Sequence, residues 1–379
     1  MMGDVKMRIK DIEAVHVRIP LDIPYVISRG VMNHFDSVIV RVRTESGLVG
    51  YGESVPRSIV GDASIIARLI NKKIAKDIVG IDVFNIEEIV ESILKVTGGN
   101  VDCVAGIDLA IWDILGKHLG QPVYRLIGGV CQDTILVDYT IGASEPSSMA
   151  DTALEVTSEG FHGVVVKVPC KSVLEDVERV QAVRRVLPLN STVRVDCNGG
   201  YSREDALSFL NKIQGLNIEF VEQPVAPDDL PGMKLCRSVG IPISADESLV
   251  TLKDALSLVS QEACDVMNIK IPKVGGILLA KRIAAIASAS GLPVVVGGRP
   301  ALEISRWASR HFAVSTPATL GRAHEGPGPA SQALSDDVVS QRITRKTVKE
   351  SDGYIKLPTS VGLSVDVLWD KVKLYNITS

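Results

Sequence analysis

Five polar residues recur along the middle of this chain, each at the end of a short apolar run of the kind found in β-strands. They follow one another at intervals of 24 to 29 residues: Lys167, Asp196, Glu222, Asp246 and Lys270. Three carboxylates supply the hard oxygen ligands that Mg²⁺ prefers. A lysine on each side of them could donate or accept a proton. The pattern predicts metal-assisted proton transfer, although any one of these acids alone would be better explained by a salt bridge.

The interval between these residues accommodates one strand, one helix and two connections. Strand-like runs end at similar intervals elsewhere, near residues 140, 167, 196, 222, 246, 270 and 297, with a weaker eighth near 325. In a (β/α)8 barrel the C-terminal ends of the strands meet at one mouth, where catalytic residues collect. We therefore predict an α/β fold with a modified TIM barrel that brings the five side chains together.

The N-terminal part of the chain has a different pattern. Strand-like segments at 7–19, 38–43 and 48–53 favour an antiparallel meander followed by helices. Loops are predicted between and after these strands, at 20–36 and 54–62. The N-terminal region therefore forms a separate α+β unit in this interpretation.

Composition limits the classes of function. The 379 residues are 46% hydrophobic and 23% charged, with a formal net charge of −4, which favours two domains with a large core. No run of Lys or Arg indicates a nucleic-acid or membrane surface, and no apolar run is long enough to span a bilayer. The charged N-terminus lacks a secretory pattern, and the six scattered cysteines favour reduced thiols. We expect a cytoplasmic protein.

Four short motifs contain the acidic residues and the second lysine. They are Val195-Asp196-Cys197-Asn198, Val221-Glu222-Gln223-Pro224, Ala245-Asp246-Glu247-Ser248 and Asn268-Ile269-Lys270. In this order and spacing they resemble the enolase superfamily. The pairing of Lys167 with Lys270 is similar to the muconate-lactonizing-enzyme-like subgroup of its mandelate racemase/muconate lactonizing enzyme family. The run from Ala105 to Asp113 resembles the helix that links the two domains of that family, so the resemblance covers nearly the whole chain.

The resemblance implies an α+β capping domain, built from the N-terminal region and the C-terminal tail, on a modified TIM barrel. We assign residues 1–130 to the capping domain, 131–335 to the barrel and 336–379 to a segment that returns to the capping domain. The resemblance also implies that the loops at 20–36 and 54–62 close over the substrate. It further implies a symmetric homo-oligomer.

The resemblance also implies a mechanism. Asp196, Glu222 and Asp246 would bind a catalytic Mg²⁺, for which Mn²⁺ could substitute, and Lys167 and Lys270 would lie on opposite sides of a small-molecule carboxylate substrate. The shared reaction of the family removes a proton from the carbon next to that carboxylate, and the metal stabilises the enolate. A lysine acts as a base only when it is neutral, so we expect the metal and burial to lower its pKa.

Two departures from the patterns of relatives, at the second and eighth barrel strands, and the missing His after the seventh strand bear on this interpretation. The departure at the eighth strand argues against a dipeptide substrate. The subgroup often has Lys-x-Lys after the second barrel strand, but Val165 stands at the first of these positions. Dipeptide epimerases of the family carry Asp-x-Asp after the eighth strand, whereas this chain has His324-Glu325-Gly326-Pro327. Mandelate-racemase-like enzymes use a His after the seventh strand, and Gly297-Gly298-Arg299 supplies none.

Several other residues are candidates for supporting roles. Strand alternation places Arg194 and Asn198 on the same face as Asp196, and Glu247 follows Asp246. We expect these three residues to support the metal ligands by hydrogen bonds, with solvent contact as the alternative for Glu247.

Substrate contacts are predicted for Tyr25, Arg29 and Arg57 on the two loops and for Glu325 at the eighth strand end. Loop arginines such as Arg29 and Arg57 are more often solvated charges than ligand contacts, and Glu325 is equally consistent with a structural role. Lys273 would be a charge at a helix start or near the site.

The sequence therefore favours a Mg²⁺-dependent racemase or epimerase acting next to a carboxylate, on a substrate such as an amino-acid derivative. A cycloisomerase or a dehydratase would use the same site with one lysine as the base. A Schiff-base aldolase needs one lysine but not three carboxylates. A barrel kept as a binding protein would not need the complete set of five residues.

Overall fold

The computed structural model describes residues 7–27, 30–56 and 63–377, with only the backbone described at 25–27, 30, 31 and 330. Its N-terminal part contains an antiparallel sheet in the order β1-β2-β3, made of β1 (Ile9–Ile27), β2 (Gly30–Thr44) and β3 (Val49–Ser54). The helical segments that follow are α1 (Ala63–Leu69), a π-helical segment (Ile70–Ile74), α2 (Ala75–Ile78), α3 (Ile86–Thr97), α4 (Asp102–Leu119) and α5 (Val123–Leu126).

Eight parallel strands form a nearly closed barrel in the order β10-β9-β8-β7-β6-β5-β4-β11. They are β4 (Thr134–Ile141), β5 (Gly163–Lys167), β6 (Thr192–Asp196), β7 (Val221–Glu222), β8 (Ile243–Ala245), β9 (Val266–Ile269), β10 (Val294–Val296) and β11 (His324–Glu325). The connecting helices are α6 (Pro146–Ser158), α7 (Val173–Val186), α8 (Arg203–Ile213), α9 (Leu230–Arg237), α10 (Leu252–Ser260), α11 (Ile271–Val274), α12 (Ile277–Ala289) and α13 (Glu303–Val314). The sequence-based prediction of a modified TIM barrel with a capping domain is confirmed.

The C-terminal part of the chain contacts both units. Its elements are a 3₁₀ turn (Pro317–Thr319), α14 (Pro329–Gln332), α15 (Arg345–Lys349), β12 (Tyr354–Lys356) and α16 (Trp369–Leu374). Strand β12 pairs antiparallel with barrel strand β4. The end of the tail does reach the meander, because Arg18 donates its backbone N–H to the Tyr375 carbonyl at 3.0 Å.

The segment at 20–36 was expected to be a loop, and that expectation is wrong for its described residues. Strands β1 and β2 continue through it as one long hairpin, paired from Pro20–His34 to Ile27–Gly30, with an irregularity between Pro20 and Tyr25. Two prolines in the segment favour a loop locally. Pairing with the partner strand overrides this local preference.

Helix α4 joins the capping domain to the barrel. It approaches β3 so closely that a Cβ atom at Gly52 would lie 1.9 Å from the Gly106 carbonyl oxygen. From the same helix, the buried Asp108 accepts the backbone N–H of Ile277 at 2.6 Å and so caps barrel helix α12. One helix therefore packs on the sheet and contributes a capping carboxylate to the other unit.

No helix in the described ranges is long and apolar enough to cross a membrane. All six cysteines lie within those ranges as free thiols.

Candidate active site

The five polar residues identified in the sequence lie at the ends of five neighbouring barrel strands. Lys167, Asp196 and Glu222 are the last residues of β5, β6 and β7, and they are aligned across the ladder as Lys167–Asp196 and Asp196–Glu222 pairs. Asp246 and Lys270 directly follow β8 and β9. The sheet order places these strands side by side, so the fold brings all five residues together.

The three acids, Asp196, Glu222 and Asp246, form what we call the carboxylate row. Their exposed fractions are 2%, 5% and 3%. Burial raises the pKa of Glu222, Asp196 raises it further, and Lys270 lowers it less. For Asp246, burial raises the pKa, but Lys270 and Lys273 more than offset this and lower it below its ordinary value. The row is a buried concentration of negative charge that requires cations.

Lysines supply the opposing charge in this structure. Lys167 donates to an Asp196 oxygen, and Lys270 donates to Asp246 Oδ2 at 2.6 Å, with Glu222 Oε1 at 3.5 Å. The two ammonium groups thus occupy opposite ends of the carboxylate row. Burial lowers the pKa of both lysines, but Asp196 for Lys167 and Asp246 for Lys270 are the main charges that raise it above the ordinary value. The expected lowering of the lysine pKa by Mg²⁺ and burial stays a prediction.

The donor set of the row fits a divalent cation such as Mg²⁺. It consists of three hard oxygen ligands on adjacent strand ends. Burial first, and then the neighbouring carboxylates of Asp196 and Asp246, raise the pKa of Glu222. In the described part of the chain, however, no three His, Cys, Asp or Glu side chains are gathered into a ready metal cluster. The carboxylates instead form ion pairs with the lysine ammonium groups, which balance their negative charge.

Asn198 connects the row to two neighbouring side chains. Its backbone N–H donates to Asp196 Oδ1 at 2.8 Å, and its amide donates to Glu247 Oε1 at 3.1 Å. Its amide oxygen accepts a hydrogen bond from Lys167 Nζ at 3.1 Å. Burial raises the pKa of Glu247, and Asp246 raises it further. Asn198 and Glu247 thus lie where the sequence placed them, beside the acidic residues.

Arg194 has different partners from those expected. It lies one layer deeper in the barrel than Asp196, and its guanidinium donates to Asp138 and, at 2.6 Å, to Glu219. Burial raises the pKa of Asp138 to about 7, although Arg194 lowers it. Strand alternation correctly predicts that Arg194 faces the pocket. Its long side chain, however, contacts acidic residues at the floor of the pocket and not the carboxylate row.

Lys273 is more closely involved than its sequence position indicated. It is buried and donates to both the carboxylate and the carbonyl oxygen of Asp246, each at 2.6 Å. Burial lowers its pKa, and the attraction of Asp246 offsets this only in part. Its spacing of three residues from Lys270, one helical turn, was the only sequence signal for this contact.

A pocket opens over this arrangement. Lys167, Asp196, Glu222 and Lys270 line one side. The opposite side is formed by residues 297–300 and by Glu325, Gly328, Pro329 and Ser331. We call the whole connection from β10 to α13, residues 297–302, the Gly-Gly wall. The pocket thus has the carboxylate row on one side and a structurally distinct wall on the other.

Glu325 lies on this opposite side. Its carboxylate accepts the backbone N–H of Gly298, and a Cβ atom at Gly298 would lie 2.5 Å from that carboxylate. The Arg299 guanidinium, which also lines the pocket, donates to the Pro56 carbonyl of the capping domain. Sequence reasoning did not identify Arg299 as a pocket residue, although its position three residues beyond the end of β10 was an available signal.

The remaining predicted substrate contacts are not described at the side-chain level. Tyr25 lies in β1, but its side chain is outside the described residues. Arg29 and Arg57 are themselves outside the described ranges. Pro56, the last described residue before 57–62, contacts Arg299 of the Gly-Gly wall.

Known proteins share this architecture over the whole chain. Residues 9–128 match the family model described as the mandelate racemase/muconate lactonizing enzyme N-terminal domain, and residues 148–371 match the enolase C-terminal domain-like model. The chloromuconate cycloisomerase of Cupriavidus necator is 30% identical over 97% of this chain and 99% of its own.

Two solved structures are also similar. The N-succinyl Arg/Lys racemase from Bacillus cereus superimposes with a TM-score of 0.90 at 30% identity, covering 98% of both chains. The dipeptide epimerase from Enterococcus faecalis, complexed with Mg and the dipeptide L-Leu-L-Tyr, has a TM-score of 0.85 at 31% identity, covering 95% of this chain and all of the other. The chain is an isomerase that belongs to the enolase superfamily, within the mandelate racemase/muconate lactonizing enzyme family.

Proposed function

We propose that this chain is a Mg²⁺-dependent racemase or epimerase that exchanges the proton on the carbon next to a substrate carboxylate. One observation carries the proposal: a lysine lies at each end of a buried row of three carboxylates, on five consecutive barrel strands. Inversion of a carbon centre requires an acid/base group on each side of that carbon. Lys167 and Lys270 have that arrangement.

Asp196, Glu222 and Asp246 would hold the Mg²⁺ ion, and Mn²⁺ could replace it. When bound, the ion would supply Lewis-acid stabilisation of negative charge on the substrate carboxylate. Asn198 would keep Asp196 oriented through the two bonds it donates to that carboxylate, at 2.8 and 3.2 Å. Glu247 would hold the Asn198 amide in turn.

The two lysines would divide the proton transfers between them. In one direction a neutral lysine takes the proton from the carbon, and the ammonium of the other lysine returns a proton to the opposite face. In the reverse direction the roles exchange, so each lysine serves one stereoisomer. Because each ammonium contacts a carboxylate in this structure, it must leave that contact and lose its proton before it acts as the base.

The substrate is a small-molecule carboxylate, and we propose an amino-acid derivative. Glu325, across the pocket from the lysines, would accept a hydrogen bond from a substrate N–H or ammonium group. Tyr25, Arg29 and Arg57 would contact the part of the substrate distant from the reacting carbon. Similarity to an N-succinyl amino-acid racemase and a dipeptide epimerase supports this substrate class.

A cycloisomerase is the second candidate, favoured by the nearly full-length similarity to a chloromuconate cycloisomerase. In that reaction one lysine would be the proton-transfer group and the other would contribute charge only. A dehydratase would use the site in the same way.

The test is a screen for proton exchange in D2O with Mg²⁺, followed by proton NMR. The library should contain N-acyl amino acids, dipeptides, imino acids and their betaines, with muconates as the cycloisomerase arm. Racemisation together with deuterium incorporation is the expected result, and a cyclised or dehydrated product would favour the second candidate. No exchange with any carboxylate would overturn the proposal.

A further inference from the structure

The N-terminus of α13 has no capping side chain of its own. Its N-cap residue is Leu302, which makes no side-chain cap hydrogen bond. The capping domain supplies the missing acceptor. Glu53 Oε1 accepts the Leu302 backbone N–H at 3.0 Å, and Glu53 Oε2 accepts that of Ser305 at 3.1 Å. A carboxylate is well suited to a helix N-terminus, because it pairs with free N–H groups and with the helix dipole.

Glu53 is held firmly at this place. It lies in β3, has an exposed fraction of 0%, and accepts a third hydrogen bond from Ser37 Oγ at 2.8 Å. Both of its main-chain donors belong to the barrel, and Ser37 belongs to the capping sheet. Removing the carboxylate would leave buried N–H and O–H donors without an acceptor. An unsatisfied buried donor destabilises the folded state more than the loss of both partners of a hydrogen bond does.

The helix that Glu53 caps is continuous with the Gly-Gly wall of the pocket. Residues 297–302 run from the end of β10 to the N-cap of α13 without an intervening element. Within this stretch, the Gly298 N–H holds Glu325 and Arg299 donates to the Pro56 carbonyl, three residues after Glu53. The wall is therefore attached to the capping domain at both its helix end and its pocket edge.

We propose that Glu53 is a positioning residue, which holds the Gly-Gly wall against the capping domain and thereby sets the affinity for substrate. The activity part of this inference rests on the proposed function. The attachment of the wall does not, because it can be measured without substrate.

The chain offers a matched control in Asp113. It is also a fully buried carboxylate of the capping domain, and it accepts the backbone N–H groups of Tyr51 and Leu363, each at 3.0 Å. Neither partner lines the pocket. Asp113 also accepts a hydrogen bond from Lys117 Nζ at 2.6 Å, within the same domain. Asp113→Asn therefore reports the general loss of a buried carboxylate that accepts backbone N–H groups, without an effect on the wall.

The experiment compares full-length wild type, Glu53→Gln and Asp113→Asn. Glutamine keeps one acceptor oxygen but presents an amide NH2 to the other backbone donor. Hydrogen–deuterium exchange without ligand should become faster at 297–305 in Glu53→Gln, and near residue 363 in Asp113→Asn. With the N-acyl amino acid that the wild type exchanges fastest, Glu53→Gln should raise KM about tenfold and change kcat much less. Asp113→Asn should leave KM unchanged.

Three results would overturn the inference: unchanged exchange at 297–305, unchanged KM, or an equal KM change in both variants. If Glu53→Gln does not fold, Glu53→Asp keeps the charge, shortens its reach by one methylene, and is judged by the same measurements. If the wild type turns over no carboxylate, the proposed function fails. Hydrogen exchange at 297–305 then still decides whether Glu53 holds the wall.

Discussion

The two sides of the pocket are built in different ways. The carboxylate row stands on consecutive barrel strands, and its residues lie 24 to 26 positions apart in the chain. The Gly-Gly wall depends on segments far apart, since Glu53 reaches Leu302 across 249 positions. The row concentrates buried charge, whereas the opposite side presents backbone groups and Arg299 of the wall together with Glu325 of β11. In the proposed function, the row would carry the reaction chemistry and the opposite side would select the substrate, and each side can be tested by itself.

The largest effect is expected from the carboxylate row. Asp196→Asn, Glu222→Gln and Asp246→Asn each remove one charge without removing volume, so kcat/KM should fall by about 10³-fold or more while the fold remains. EDTA should inactivate the wild type, and Mg²⁺ or Mn²⁺ should restore it. Asp370→Asn, at a side chain that is 98% exposed, is the control. Full activity in metal-free protein would show that the row does not bind the catalytic ion.

The lysine variants should be nearly as severe, and they report stereochemistry. Lys167→Ala and Lys270→Ala should each lose racemisation by about 10³-fold, because one acid/base group is absent. Each variant should still exchange deuterium into one enantiomer, and the two should prefer opposite enantiomers. Proton NMR in D2O measures both quantities. Continued racemisation by both variants would remove the lysines from the mechanism.

A smaller effect with a different signature is expected from the wall side. Glu325→Gln should raise KM about tenfold for substrates with an N–H or ammonium group, because a charge-assisted hydrogen bond is lost. Its kcat should change much less, since the carboxylate row and both lysines remain intact. Glutamine can still accept the Gly298 N–H, so wall geometry is retained. An equal loss for substrates that lack the nitrogen group would argue for a structural role of Glu325.

The smallest effect concerns the junction of the two domains. Burial raises the pKa of Asp108 from 3.8 to about 7, and the backbone N–H groups of Ile277 and Leu278 lower it less. The folded state therefore binds this proton more tightly than the unfolded state. The stabilising contribution of Asp108 is complete below pH 4, falls as the pH rises toward 7 and is constant above that.

Asp108→Asn lacks this titration. Relative to that variant, the wild type should lose about 3 kcal/mol of unfolding free energy between pH 5 and pH 8. Chemical denaturation of both proteins at the two pH values measures the difference. A constant difference would show that Asp108 stays ionised throughout this range.

Much of the fold could be predicted because the barrel repeats one unit. The strand ends near 140 to 297 follow from that repeat, and even the two-residue strand β11 lies where the eighth was expected. The hairpin at 20–36 could not be predicted in this way, because Pro20 and Pro24 favour a loop and only pairing with β2 reveals the strand. For the site, strand alternation identified Asn198 correctly as a neighbour of Asp196, but it could not choose the partners of Arg194.

The sequence by itself determined which five residues meet and in what order around the barrel. That order is a local property, because each residue ends its own strand and parallel strands place their ends at one mouth. Only the tertiary structure decided how the charges pair, with Lys167 on Asp196, Lys270 and Lys273 on Asp246, and Arg194 on Asp138. It also decided that Glu53 caps α13. Contacts between distant segments depend on the length of the side chains and on how the segments pack. Such contacts produce no regular spacing of residues in the sequence, so the sequence does not reveal them.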